Sequence, residues 1–263
     1  MAGDRQSQYR SGEDNLISRE QLRDISRRTG LSLYQQEKDY FQKLFLHGYF
    51  NRYEDAVFKG GTCLAYLFGL DRFSEDLDFN LLASPETFED QVDRTVDDLK
   101  LIGAEAYFIR KELFEESFTC EIGLHGPLYM GSSQTRNMIR IDDGKRTGTL
   151  EDPEWKLISS EYPETRERFL VLVMNEEEML VEKAIALMER AKGRDLYDLW
   201  FMLEKGVPVN EDLYLRKGGQ EFKPSMLVSK EDYERDLERL SRRIIPYSQV
   251  SRDVERSLSA LKH

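Results

Sequence analysis

The sequence Phe58-Lys59-Gly60-Gly61-Thr62 (FKGGT) is soon followed by Arg72-Phe73-Ser74-Glu75-Asp76-Leu77-Asp78-Phe79 (RFSEDLDF). In the second stretch apolar and acidic residues alternate, and this period of two predicts a strand that carries both carboxylates on one face. The double glycine predicts a tight turn whose backbone can approach a phosphate group without an intervening side chain.

The spacing of Asp76 and Asp78 points to a metal site. Two carboxylates this close repel each other unless a divalent cation lies between them, and Mg²⁺ prefers carboxylates together with substrate phosphates. Taken singly, a double glycine is commonly only a turn and an Asp-x-Asp only a solvated strand face. No Gly-Lys-Ser/Thr follows the glycines, which excludes a Walker loop. Together the two signals indicate metal-assisted phosphoryl or nucleotidyl transfer.

The residues on either side predict the fold class. Ser18 with Gln21, and Ser32 with Gln35, are capping pairs that predict two helices between residues 16 and 50. Helical patterns also begin at Ser84, Glu176 and Lys230, and Gly193 interrupts the second of these; residues 208–228 read as a loop. Further strands are predicted at 104–109, 117–124 and 137–142. We therefore expect an α+β fold with a small mixed, mainly antiparallel sheet, N-terminal helices and a C-terminal helical region.

Composition excludes several classes of protein. The 263 residues include 38 Lys+Arg and 50 Asp+Glu, a net charge of −12, which argues against a nonspecific DNA-coating protein but leaves room for a local basic groove. Two distant cysteines and three scattered histidines indicate neither a disulfide framework nor a zinc site. The longest apolar runs, such as residues 169–174, are far shorter than the roughly 20 residues that cross a bilayer. We expect a soluble, cytoplasmic protein with no membrane partner.

The combined motifs resemble a known family. Gly-Gly-Thr followed by Asp-x-Asp resembles the signature of the polymerase-β-like nucleotidyltransferase superfamily. More narrowly, residues 59–62 with 72–78 are similar to the AbiEii/AbiGii toxin family, which includes MenT-like toxins. A second block agrees, because Glu182-Lys183 and then Arg194-Asp195-Leu196-Tyr197-Asp198 are similar to the family's Glu-x-Lys helix and Arg-Asp-x-x-Asp motif. The resemblance spans roughly residues 35–205.

This resemblance implies an architecture and a function. The chain would have a disordered tail (1–15), a nucleotidyltransferase core with leading helices (16–150) and a mainly helical C-terminal region (151–263). It would move a nucleotide from an NTP to an acceptor hydroxyl, as the toxin of a toxin–antitoxin or phage-defence system. Family members suggest tRNA or another RNA as acceptor and a cognate antitoxin as partner. The alternatives are transfer to a small molecule or a protein hydroxyl, and a non-catalytic interaction protein that keeps the fold.

The resemblance also implies a third carboxylate on a neighbouring strand. In Ile139-Arg140-Ile141-Asp142 the isoleucines face one way and Asp142 the other, so Asp142 is the best match, with Asp143 and Glu121 as competitors. Asp76, Asp78 and Asp142 would bind two Mg²⁺ ions, with Mn²⁺ as the other candidate, and Asp142 would help to activate the attacking hydroxyl.

The remaining implied site residues carry charge or line the glycine turn. Lys183 and Arg190 are seven residues apart and share one helix side, so Lys183 either contacts the triphosphate or forms an exposed ion pair with neighbouring glutamates. Asp195 matches a family position needed for activity, although a cluster of ion pairs at a helix start is the plainer interpretation. Nucleotide-binding residues would be Lys59, Gly60, Gly61, Thr62, Arg72, Ser74, Lys183 and Asp198. Arg72 and Ser74 could instead brace the Asp-x-Asp strand.

One basic run lies outside these motifs. Residues 239–243 (RLSRR) carry three arginines, which could follow RNA phosphates or could form a solvated helix face.

Overall fold

The computed structural model of the protein describes residues 16–143 and 148–259. The predicted disordered tail, 1–15, lies outside them. The helices are α1 (Arg19–Thr29), α2 (Leu33–Phe50), α3 (Gly60–Cys63), α4 (Pro85–Leu101), α5 (Glu176–Arg190), α6 (Gly193–Glu204), α7 (Glu211–Arg216), α8 (Lys230–Leu237) and α9 (Tyr247–Leu258). The strands are β1 (Ala56–Lys59), β2 (Asp76–Leu81), β3 (Glu105–Leu113), β4 (Phe118–His125), β5 (Asn137–Asp143), β6 (Glu154–Ser159) and β7 (Arg168–Val173).

The strands form one mixed sheet in the order β3-β4-β5-β2-β1-β7-β6. Only β2 with β5 and β1 with β7 run parallel, and the other neighbours are antiparallel. The predicted α+β class with a mainly antiparallel sheet is therefore confirmed. The Asp-x-Asp strand, β2, lies at the centre, where both of its edges are paired.

The apolar face of β2 anchors the core. The ring of Phe79 lies between 5.6 and 6.3 Å from four other aromatic rings, contributed by β1, α2 and α4. Leu77 is buried on the same face. Because successive side chains alternate across a strand, this packing directs Asp76 and Asp78 to the opposite face.

The helix starts follow the predicted caps. Ser18 and Gln21 form a capping box at α1, and Ser32 and Gln35 form another at α2. Ser84 caps α4, which begins with Pro85. These local signals use residues three apart in sequence, so they need no tertiary contact to act.

The sequence patterns missed two strands, β6 and β7, and two helices, α7 and α9. β7 is almost continuously apolar, and a buried strand of this kind has no alternation to reveal it. β6 pairs with β7 and completes the sheet at that edge, and α7 lies in the stretch expected to be a loop. The domain division at residue 150 stays a prediction, although β6 and β7 belong to the same sheet as the strands before it.

The helices of the described residues are too short or too polar to cross a bilayer.

Candidate functional site

The centre of the candidate site is the polar face of β2. β1 and β2 are antiparallel, and their register places Lys59 opposite Asp78. The hydroxyl of Thr62, on the first turn after β1, donates a hydrogen bond of 2.5 Å to the backbone carbonyl of Asp76. The glycine turn and the Asp-x-Asp strand are thus fastened to each other directly.

Gly60 is required where the chain turns from β1 into α3. Its φ is +78°, a conformation that L side chains rarely adopt. A Cβ at this position would also lie 2.2 Å from Oδ2 of Asp78. The glycine therefore brings an open stretch of backbone next to Asp78.

The strand register shows which of the three candidates for the third carboxylate lies beside Asp76 and Asp78. β5 lies beside β2, and Asp142 is directly opposite Asp78, so both side chains project from one face. Asp143 is opposite Phe79 and therefore points to the core face. Glu121 lies on β4, one strand further from β2. Of the three candidates, only Asp142 stands next to the Asp-x-Asp pair.

The three carboxylates carry charge that the protein does not fully compensate. Burial raises the pKa of Asp76, Asp78 and Asp142 above its ordinary value, and the Asp78 charge adds to this effect at Asp142. Among the described residues, Asp76 and Asp78 have no hydrogen-bond or ion-pair partner for their side chains. Asp142 accepts a hydrogen bond of 3.0 Å from Arg140.

This donor set suits a hard divalent cation, because Mg²⁺ is bound by carboxylate oxygens. The set is not closed: within residues 16–143 and 148–259, no three His, Cys, Asp or Glu side chains converge closely enough to hold a metal ion as they stand. The residues therefore fit a metal by their chemistry and common face. Asp142 would have to exchange Arg140 for the cation.

Opposite the sheet, α5 carries the cationic part of the site. Lys183 lies on this helix, and its ammonium is 2.7 Å from Asp198 and 3.6 Å from Asp195, both of which are fully buried on α6. It is thus only 13% exposed, and its carboxylate partners come from α6. The exposed ion pair considered from sequence is not what the structure contains.

The two aspartates of α6 are held by bidentate arginines. Arg72 donates two hydrogen bonds of 2.6 Å to Asp198, and Arg190 donates bonds of 2.7 and 2.8 Å to Asp195. Burial opposes ionisation of Asp198, but Arg72 and Lys183 outweigh it and lower its pKa. At Asp195 burial is likewise outweighed, by Lys183 and Arg190, so this pKa is lowered too. These carboxylates are fixed counter-ions that orient Lys183 and Arg190.

A chain of buried charges holds Lys59. Its ammonium lies 2.9 Å from Glu182 of α5, and the other Glu182 oxygen lies 2.8 Å from Lys217, the residue after α7. Lys217 also contacts Glu178, which accepts the backbone amides of residues 150 and 151. We call Lys59, Glu182, Lys217 and Glu178 the charge chain. It links the glycine turn to the C-terminal region.

These elements enclose a cleft of about 240 Å³ between sheet and helix. The sheet contributes Asp78 and Asp142 and the helix contributes Lys183 and Arg190, whereas Lys59 of the sheet and Glu182 of the helix pair with each other. This arrangement suits a phosphate-bearing ligand with a divalent cation. Its lining comprises Lys59, Gly60, Asp78, Asp142, Glu182, Lys183, Ala186 and Arg190.

Not every predicted site residue lines the cleft. Arg72 and Asp198 are buried in their mutual ion pair, with side chains 3% and 0% exposed, which favours bracing over nucleotide contact. A Cβ on Gly61 would lie 2.5 Å from Arg72 and 2.7 Å from Ser74, so these side chains pack behind the glycine turn. Sequence reasoning missed Lys217, since its stretch was expected to be a loop.

Comparisons with known proteins identify the family and the fold of the chain. The family model "Nucleotidyl transferase AbiEii toxin, Type IV TA system" matches residues 47–260. No curated protein sequence matches the chain. The structure is similar to MenT4, a nucleotidyltransferase toxin of Mycobacterium tuberculosis, with a TM-score of 0.68 and 18% identity over 93% of this chain and 89% of MenT4. It is also similar to JHP933 of Helicobacter pylori, with a TM-score of 0.60 and 17% identity over 88% and 93% of the two chains.

Proposed function

The chain belongs to the AbiEii family of nucleotidyltransferase toxins, and we propose that its cleft transfers a nucleotide from an NTP to an acceptor hydroxyl. The observation that carries this proposal is that carboxylates on the sheet face cations on a helix across the cleft. Asp76 and Asp78 are carboxylates without a partner among the described residues, Asp142 beside them is paired only with Arg140, and Lys183 and Arg190 are oriented cations on the facing helix.

The cationic wall would bind the donor. Lys183 is a compact positive charge that Asp198 and Asp195 hold in place, and such preorganised charge stabilises the transition state of phosphoryl transfer without reorganising during the reaction. Arg190 lines the same cleft, about two turns further along the same face of α5. The backbone at Gly60 would lie against the phosphates, since no side chain intervenes there.

The carboxylate wall would bind the metal and the acceptor. Asp76, Asp78 and Asp142 would hold Mg²⁺, which when bound neutralises phosphate charge and lowers the pKa of a coordinated hydroxyl. Asp142 lies directly opposite Asp78 on the neighbouring strand, so an acceptor hydroxyl held at the carboxylates would be within its reach. Asp142 would take the acceptor hydroxyl's proton as its oxygen bonds to the α-phosphorus and pyrophosphate leaves.

The biological role follows from the family. We propose that the chain is the toxin of a toxin–antitoxin system that acts in phage defence, with a cognate antitoxin, and that tRNA is the acceptor. Transfer to a small molecule or to a protein hydroxyl is the alternative. A non-catalytic role is disfavoured because Asp76 and Asp78 would then repel each other with no ligand to offset the cost.

One labelling experiment tests this proposal. The protein is incubated with each α-³²P-labelled NTP and Mg²⁺, with total cellular RNA or with cell protein, and the products are separated on gels. We expect label in a tRNA-sized RNA band that requires Mg²⁺ and disappears in Asp76→Asn. Label in protein alone would favour the alternative acceptor, and no transfer from any NTP to any acceptor would refute the proposed function.

A further inference from the structure

A second groove adjoins the cleft and has a different character. It has a volume of about 490 Å³ and lies between the start of α6, α8 and the turn that follows α8. Arg190 lines both the cleft and this groove, and Glu75, the neighbour of Asp76, lines its other side. We call it the basic groove; its charged lining comprises Arg190, Lys192, Arg194, Arg235, Arg239, Glu75, Asp232 and Asp236.

The basic groove is positive on a protein of net charge −12. Three cations, Lys192, Arg194 and Arg239, have no hydrogen-bond or ion-pair partner for their side chains within the part of the chain that the structure describes. By contrast, Arg235 contacts Asp232. Unpaired cations gathered in one groove produce a local positive potential, which attracts anionic ligands despite the overall charge.

The groove is a built feature, because its two helices are locked together. The amide of Gly193, the first residue of α6, donates a hydrogen bond of 2.8 Å to Asp236 of α8. A Cβ on Gly193 would lie 2.6 Å from the Cα of Tyr233, so only glycine permits this approach. The turn after α8 is fixed as well, since Leu240 accepts the amide of Phe73 at 2.7 Å. That contact ties the groove to the segment leading into β2.

We propose that the basic groove holds the backbone phosphates of a nucleic-acid acceptor strand whose terminal hydroxyl enters the cleft. This inference rests on the proposed function and assigns a binding surface to the nucleic-acid acceptor proposed there. A small molecule or a protein hydroxyl has no row of phosphates to engage these cations. The donor triphosphate already has Lys183 and the metal-binding face inside the cleft. Arg194, whose charge acts on Asp76, marks where the groove meets the carboxylates.

The groove also gives part of the basic run at 239–243 a role. Arg239 faces the groove, whereas Arg242 contacts the carbonyl of Thr29 and joins the C-terminal helices to α1. The run follows the end of α8 and is not helical, so the solvated helix face considered from sequence is not what the structure contains. Contacts from Lys192 and Arg239 would be to phosphates and would not depend on base sequence.

A charge-matched pair of double variants tests the assignment. Lys192→Gln/Arg239→Gln removes two groove cations that lie away from Asp76. Arg252→Gln/Arg256→Gln removes two arginines of α9 that are 73% and 79% exposed. Binding of a fluorescently labelled single-stranded RNA oligonucleotide is followed by anisotropy between 50 and about 300 mM salt. Each phosphate contact contributes about 0.7 to the slope of log affinity against log salt, so we expect the groove variant to lower that slope by about 1.4.

The groove variant should bind the RNA about tenfold more weakly at low salt, while the α9 variant should match the wild type. The affinity of both for a non-hydrolysable NTP analogue with Mg²⁺ should be unchanged. An unchanged salt slope, or equal losses in both variants, would overturn the assignment. So would weaker NTP binding with normal RNA binding, because the groove would then serve the donor. The titration needs no catalysis, so a wild type that binds RNA through the groove yet transfers no nucleotide would refute only the proposed function.

Discussion

The carboxylates on the sheet and those on the helices differ in how their charges are paired. On the sheet, Asp76 and Asp78 lack protein partners among the described residues, and burial raises the pKa of both. On the helices, Asp195 and Asp198 are fully buried but doubly paired with cations, which lower the pKa of both.

This difference distinguishes carboxylates that stabilise the folded site from carboxylates that are available to bind a ligand. A buried carboxylate held by two cations is a structural element, and removing it leaves uncompensated charge inside the protein. A half-buried carboxylate without a partner is a cost to the folded state that a bound cation can offset. Substitutions on the two walls should therefore have different signatures.

The largest effect on activity is expected from Asp76→Asn. If the sheet carboxylates hold the metal, transfer should fall by at least ten-thousandfold, about 5 kcal/mol in the barrier, as measured by radiolabel transfer from NTP. The melting temperature should stay the same or rise, because a repelling charge is removed. Asp97→Asn, at a position 69% exposed on α4, is the control and should behave as wild type. Near-wild-type transfer by Asp76→Asn would remove β2 from the active site.

The largest effect on stability is expected from a substitution among the paired carboxylates of α6. Asp198→Asn leaves Arg72 and Lys183 without their shared counter-ion in a buried setting, which should lower the free energy of unfolding by about 3–5 kcal/mol. Urea denaturation followed by circular dichroism measures this loss. A midpoint equal to that of the wild type would show that the paired charges are not structural.

As the pH falls, the stabilities of Asp76→Asn and Asp198→Asn should approach that of the wild type, the first from above and the second from below. The raised pKa of Asp76 means that its charge destabilises the fold above about pH 4, so Asp76→Asn should be the more stable protein at pH 7 and lose that advantage below about pH 4. The lowered pKa of Asp198 means that its charge stabilises the fold above about pH 4 and that this stability is lost as pH falls through the lowered pKa. The melting temperatures of the wild type and of both variants are measured between pH 3 and pH 8. Profiles of melting temperature against pH that stay parallel would contradict the comparison.

Lys183→Ala tests the link between the walls. Lys183 belongs to the paired wall but faces the cleft, so its loss should slow transfer about a hundredfold, or about 3 kcal/mol, and lower stability by only about 1 kcal/mol because Arg72 still pairs with Asp198. Lys183→Arg should recover only part of the activity, since a planar fork replaces a point charge. Lys100→Ala, at an exposed position on α4, is the control. Full turnover by Lys183→Ala at low and at saturating NTP would limit α5 to a structural role.

The smallest effect is expected from Arg140→Gln. Arg140 and Asp142 form a half-exposed pair worth less than about 1 kcal/mol, and freeing Asp142 should lower the Mg²⁺ concentration for half-maximal transfer about two- to fivefold. Isothermal titration with Mg²⁺ and an NTP analogue provides an independent readout. Weaker Mg²⁺ binding in this variant would mean that Arg140 helps to position Asp142.

The sequence predicts the features that depend on neighbouring residues, and it does not predict the ion pairs between residues far apart in the chain. The glycine turn and the Asp-x-Asp strand could be predicted because their residues are close in sequence and follow a period of two. The choice of Asp142 over Asp143 needed only strand alternation, but its place beside Asp78 depends on the parallel pairing of β2 with β5. The partners of Arg72 and Lys59 are 126 and 123 residues away, and no local pattern reveals a contact at such separations. Lys217 had no signal at all, since its importance arises only from Glu178 and Glu182.

The charge chain makes the setting of the glycine turn depend on a residue that is translated much later. Lys59 emerges early from the ribosome, whereas Lys217, which completes the chain through Glu182, is made much later. At roughly 5–20 residues per second, the interval between these two residues lasts on the order of ten to thirty seconds. A chain that stops before Lys217 would therefore hold the glycine turn and both β2 carboxylates without the cation that completes the charge chain.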